Sequence, residues 1–205
     1  MEDYIFAQSD FGASEVARLT GITQDRQRDW RRRGLLPAKA AGAHARFTAL
    51  AVAQLMVRQN LSRLGVDLAE TDEIAALSGF NVLSFGSQIP GAVDFEAGLS
   101  EAIIASAAEA INEPVAYRYL AVFYPPISEA LADQAGDLAS ATGGLGPASA
   151  FDTLGAIERL SEHLQQFGCA FSWAVVDLAA LGLWLAGQAE KPLQTIKAGG
   201  KSRTP

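Results

Sequence analysis

Between Thr23 and Gly34 the chain carries Gln24, Asp25, Arg26, Arg28, Arg31, Arg32 and Arg33, with Trp30 as the main apolar residue among them. Guanidinium groups present a planar fork of donors that matches phosphate oxygens and the guanine edge, and a glutamine amide matches the adenine edge. At 3.6 residues per turn Gln24, Arg28 and Arg31 fall along one side of a helix, with Trp30 anchoring the other. That pattern suits contact with the major groove of a duplex. Charge runs are usually solvated helix faces, but here the flanking turn residues argue for a placed element. The candidate contacts are Thr23, Gln24, Arg26, Arg28, Arg31 and Arg32 on this segment and Lys39, His44 and Arg46 beyond it.

The elements that must hold these residues can be read on either side. Ser14 reads as the N-cap of a short helix from Glu15 to Leu19, closed by Thr20-Gly21. Thr23 caps a second helix ending near Arg33, where Gly34 stops it and Pro37 prevents its resumption. Two short helices across a glycine turn make a helix-turn-helix. The stretch from Leu36 to Thr48, with Gly42 at its tip, reads as a hairpin wing that aims Lys39, His44 and Arg46 at backbone phosphates. Thr48 then caps a long helix from Ala49 to Leu64, and Asp67 caps a further one from Leu68 to Leu77.

The net charge of −7 conceals a segregation: up to residue 65 there are 10 Lys and Arg against 6 Asp and Glu, and after it 6 against 17. A cationic head on an acidic body fits an anionic partner for the head alone. One cysteine, Cys169, excludes an internal disulfide and a thiolate cluster, and agrees with a reducing compartment. The start Met1-Glu2-Asp3 lacks a basic leader, so no secretory signal is expected there. At 49% hydrophobic and 19% charged residues the chain should fold along most of its length.

Four pieces, Ser14-Glu-Val-Ala-Arg-Leu-Thr-Gly-Ile-Thr, Trp30-Arg-Arg-Arg-Gly-Leu-Leu-Pro, Arg46-Phe-Thr and Leu61-Ser-Arg-Leu-Gly-Val-Asp-Leu, occur in an order and spacing that resembles the DNA-binding domain of the MerR family. The resemblance covers about a third of the chain. It implies that the second helix enters the major groove while the wing touches the backbone beside it. By position, Arg28 resembles the family's DNA-gripping helix arginine, Trp30 stands where a tyrosine is typical, and Arg46 matches a wing arginine. Three positions depart: Gln27 replaces a leucine, Asp29 an aromatic residue and Ala45 a second wing arginine. An acid at position 29 lowers affinity for phosphate unless Arg26, Arg32 or Arg33 pairs with it.

The family's long dimer helix is not evident after the head. Residues 79 to 95 contain three glycines and a proline and read as a linker or a short strand with turns. Helices are expected at Glu96–Asn112, Ile127–Ala141 and Ala150–Phe167, a strand at Val115–Phe123 and another from Phe171. Residues 168 to 189 hold one charge, Asp177, over a length that can cross a bilayer; a buried strand running into a core helix explains the same letters better. The run Thr142-Gly-Gly-Leu-Gly-Pro lacks the lysine and hydroxyl of a phosphate loop and reads as a connector. His44 and His163 form no ligand set, and Glu158 with Glu162 on an exposed helix requires no catalysis.

The expected fold is mainly α: a winged helix-turn-helix over residues 1–78, a linker over 79–95, an acidic, helix-rich α+β effector and dimerisation domain over 96–197, and a disordered tail over 198–205. The expected function is a DNA-binding transcription regulator, a cytoplasmic, nucleoid-associated homodimer on double-stranded DNA. RNA polymerase and a small-molecule or protein effector are further partners, with no catalytic site, cofactor, metal or membrane. The alternative is an excisionase-like or architectural DNA-binding accessory protein, and an enzyme or sensor body that uses DNA only for location ranks last.

Overall fold

The computed structural model describes residues 4–36, 44–115, 117–124, 150–154 and 172–199. The chain begins with an element that local patterning did not announce. Tyr4–Gln8 forms β1, paired antiparallel along its whole length with β8, Gln194–Ala198, from Tyr4 opposite Ala198 to Gln8 opposite Gln194. On its other edge β8 runs parallel to β4, Val93–Phe95, giving the order β1-β8-β4. The two ends of the described chain therefore lie side by side.

β2, Asp10–Gly12, follows at once and pairs antiparallel with β3, Arg46–Thr48. A hairpin or wing was expected over 36–48; of it, β3 is described, and it takes the strand before the first helix as a partner. Phe11 and Phe47 face each other in that ladder and are both buried, so apolar burial sets the register. The wing tip, residues 37–43 with Lys39 and Gly42, lies outside the described residues.

Helix α1, Ala13–Thr20, starts at Gly12, not at Ser14 as expected. The Glu15 carboxylate reaches back and accepts the Gly12 N–H at 2.7 Å, which satisfies a first-turn donor without a hydroxyl cap. Gly21, at φ 74°, ends α1, and Thr23 Oγ1 accepts the Arg26 N–H to open α2, Gln24–Arg32. Thr48 caps α3, Ala49–Arg63, as expected. Val16, Leu19, Ile22 and Trp30 close on Val52, Ala53, Met56 and Val57 of α3 as the core beneath the helix-turn-helix.

The next segment differs from its expected form. Leu68–Glu70 is a single 3₁₀ turn capped by Asp67, and Asp72–Ser87 is one helix, α4. Residues 79–87, expected as part of a linker, are thus helical. Their glycines mark close helix crossings: a Cβ on Gly79 would meet Gln54 of α3, and one on Gly86 would meet the backbone of Gly182. Composition alone cannot tell a glycine that breaks a helix from one that admits a neighbour.

Ser100 caps α5, Glu101–Ile111, which lays Ile103 and Ala107 on Ile196 of β8. β5, Tyr119–Tyr124, lies between β6, Ala150–Leu154, and β7, Ser172–Asp177, both antiparallel to it. Residues 150–154 were expected to open a helix; pairing with the β-branched and aromatic edge of β5 holds them extended instead. The remainder of that expected helix, the Ile127–Ala141 helix, the Thr142–Pro147 run, His163, Cys169 and the tail beyond Gly199 lie outside the described residues. Asp177 ends β7, accepts the Ala180 N–H at 3.0 Å and starts α6, Leu178–Gln188. A strand followed by a core helix is the arrangement expected for this apolar stretch, and no described helix is long and apolar enough to cross a membrane.

The described elements are mainly helical, with three small sheets. One buried cluster runs from Phe11 through α1, α3 and α4 to Leu120, Leu178, Leu185 and Leu193. The helix-turn-helix and the following elements therefore share a core.

Candidate nucleic-acid interface

Helix α2 has very little to bury. Only Gln27 and Trp30 are buried, whereas Gln24, Asp25, Arg26, Arg28, Arg32 and Arg33 are exposed. Trp30, 2% exposed, is the anchor expected from its spacing. Gln27, 1% exposed, donates through Nε2 to the carbonyls of Ala13 and Ile22, both at 2.9 Å. The glutamine in place of leucine thus clasps α2 to the start of α1 and to the turn.

The outward face is built from charges that partner one another. Arg28 pairs with Asp25, and Arg32 Nη2 lies 3.0 Å from Asp29. The acid at position 29 is thereby neutralised by one of the three arginines named for it. Arg31 sets its guanidinium over the Phe47 ring, 5.8 Å from the centroid, which ties α2 to β3. Asp25, Arg28, Arg31 and Arg32 line one open concavity. Arg26 stands apart from that set: it lies over Trp30 at 5.1 Å and donates to Ser62 Oγ at 3.2 Å, on the flank facing the end of α3. Arg46 and His44 are exposed on and just before β3, and Thr23 serves as the α2 cap.

Several residues that position this face carried no signal of the expected kind. Arg58, on a mostly apolar helix, donates to the Leu35 carbonyl at 2.8 Å and pairs with Asp72, so it pins the chain leaving α2 to both α3 and α4. Its guanidinium is largely buried, which pushes its pKa down. An arginine following the apolar run Leu55-Met-Val was the available clue.

A second set links the C-terminal elements to α1. Trp184 Nε1 donates to the Leu19 carbonyl at 3.1 Å, and Arg18 donates to the Gln188 carbonyl at 2.6 Å while pairing with Glu190 at 3.2 Å. Lys191 Nζ lies 2.8 Å from Glu15, donates to the Asp10 carbonyl at 2.7 Å and sits over the Phe11 ring. No sequence spacing connects Lys191 with Glu15.

The Gly12 N–H first, and the Lys191 ammonium second, hold the Glu15 carboxyl below its ordinary pKa, partly opposed by burial. A depressed carboxylate pKa adds stability in full above the ordinary carboxylate range, and that stability is lost as the pH falls through the folded-state value. The stability gap between wild type and Glu15→Gln, read from thermal melts, is therefore expected to narrow as the pH falls from about 6 towards 3. A gap independent of pH would remove this carboxylate from the clamp.

Among the described residues no group of three or more His, Cys, Asp and Glu side chains could hold a metal ion. Residues 12–77 match the family model described as MerR HTH family regulatory protein. No curated protein matches the chain.

Proposed function

We propose that the chain, whose residues 12–77 form a MerR-type helix-turn-helix, is a transcription regulator that binds promoter DNA as a homodimer. The observation that carries this reading is the outward face of α2. Arg28, Arg31 and Arg32 share one open surface, while Gln27 and Trp30 are the only residues that the helix buries. An arginine-bearing helix with so little buried surface is built to meet a partner, and Arg31 over Phe47 holds β3 beside it.

In this reading Gln24, Arg28 and Arg31 approach base edges, with Thr23, Arg26, Arg32, Lys39, His44 and Arg46 on phosphates. Residues 1–78 act as the head, and the acidic residues of 96–197 supply dimer contacts and effector response and keep the body off the duplex. A short reading helix spans few base pairs, and twofold symmetry doubles them, which favours a palindromic site. RNA polymerase is the natural further partner at a promoter, and the setting is the cytoplasm, on the nucleoid.

Binding of purified protein to duplex DNA tests the reading. Affinity is expected to fall as salt rises, with a log–log slope reflecting several neutralised phosphates. The absence of any salt-sensitive attraction to DNA would end it. A footprint inside a promoter spacer separates a regulator from an architectural accessory protein, whose sites would lie elsewhere.

A further inference from the structure

A second cavity, of about 430 Å³, lies away from the arginine face. Its floor is one face of the β1-β8-β4 sheet, presenting Phe6, Gln8 and Gln194, and its walls are the outer side of α4, with Phe80 and Ser84, and the chain leaving α5. Gln88 Nε2 donates to the Glu113 carbonyl at 3.1 Å and closes the rim between the walls.

Two features of the lining are not explained by folding. Phe6 and Phe80 remain 41% and 55% exposed, whereas Phe11 and Phe47 in the neighbouring core are buried to 1% and 6%. Beneath them is a fixed polar pair: Gln194, 8% exposed, donates through Nε2 to Ser87 Oγ at 2.9 Å, and Ser87 donates to the Leu83 carbonyl at 2.8 Å. Apolar rings above a small number of oriented amide and hydroxyl groups are the usual composition of a small-molecule pocket, and the volume lies in the ordinary range of about 300–1,000 Å³.

The charge of the lining selects the ligand class. Among the described lining residues the one ionisable side chain is Glu113, and none is a cation. Phosphates, carboxylates and sulfonates would meet a carboxylate with nothing to offset them. We propose that this cavity binds an uncharged, flat organic molecule carrying a hydrogen-bonding group. Its rings would lie against Phe6 and Phe80 and its polar group over the Gln194–Ser87 pair.

The test titrates prodan, an uncharged naphthyl ketone whose emission reports its surroundings, into the full chain without DNA. Failure here is therefore read separately from failure of the DNA-binding reading. Saturable, blue-shifted emission is expected. Ala110→Trp, at an exposed wall position, should weaken it by roughly tenfold or more, and Ser84→Trp should do so from the opposite wall. Anilinonaphthalene sulfonate, the anionic counterpart, should not displace it. Thermal melts identify a variant that fails to fold, in which case the other wall variant decides. Emission that does not saturate, affinity unchanged by a folded wall variant, or displacement by the sulfonate would overturn the proposal.

Discussion

Arg28→Ala is expected to weaken binding to the specific DNA site by about 1–3 kcal/mol, roughly fivefold to 150-fold, while leaving the thermal melt unchanged. The separation of the two effects follows from exposure. The Arg28 side chain is 69% exposed, and it pairs with Asp25, itself 86% exposed. A pair so open to water contributes between nothing and about 1 kcal/mol to folding. Against a phosphate or a base edge the same guanidinium would be desolvated and could bind in bidentate fashion, so its removal would cost far more. Asp25→Asn is the matching control: it removes a carboxylate from the reading face and should raise affinity or leave it level. Equal binding by wild type and Arg28→Ala in gel-shift titrations would mean that α2 does not read DNA in this way.

Gly182→Val is expected to be the most damaging single change to the fold, destabilising it by about 3 kcal/mol or more and exposing apolar surface. A Cβ at Gly182 would lie 2.5 Å from the Val82 carbonyl oxygen, 2.7 Å from the Gly86 nitrogen and 2.8 Å from the Phe85 Cβ. These are mostly main-chain atoms of α4, which cannot rotate aside. The crossing of α4 and α6 at Gly86 and Gly182 must widen, and the cluster holding Val82, Leu83, Leu185 and Leu193 must open with it. Gly187, also in α6, has nothing within 4 Å of its would-be Cβ. Gly187→Ala should therefore stabilise by about 0.5–1 kcal/mol through helix propensity alone. Similar melting temperatures for Gly182→Val and wild type would show that the helices do not cross so closely.

These two predictions mark where the chain was legible and where it was not. The arginines of α2 could be found from type and spacing, because a charged helix between two glycine turns leaves local traces. Gly21 and Gly34 adopt φ of 74° and 75°, so the chain stops there for reasons contained within a few residues. The caps at Thr23, Thr48, Asp67 and Ser100 are equally local, though only the first three were identified from the letters. Gly79, Gly86 and Gly182 have the opposite origin. Each is glycine because another backbone passes close by, and the letters around Gly79 and Gly86 favoured a linker when read alone.

The sequence by itself determined the helix-turn-helix, the buried role of Trp30, the outward run of arginines and the basic head set against acidic remaining residues. Each rests on interactions within one turn or on periodicity that one helix displays. Tertiary structure alone decided that Tyr4–Gln8 is a strand, since its partner lies about 190 residues away in β8. It also decided that β3 pairs with β2, that Ala150–Leu154 is extended, and that Lys191 reaches back to Glu15. Strand pairing and long-range ion pairs draw their free energy from residues brought together only after the chain has folded. No window of adjacent letters contains that information.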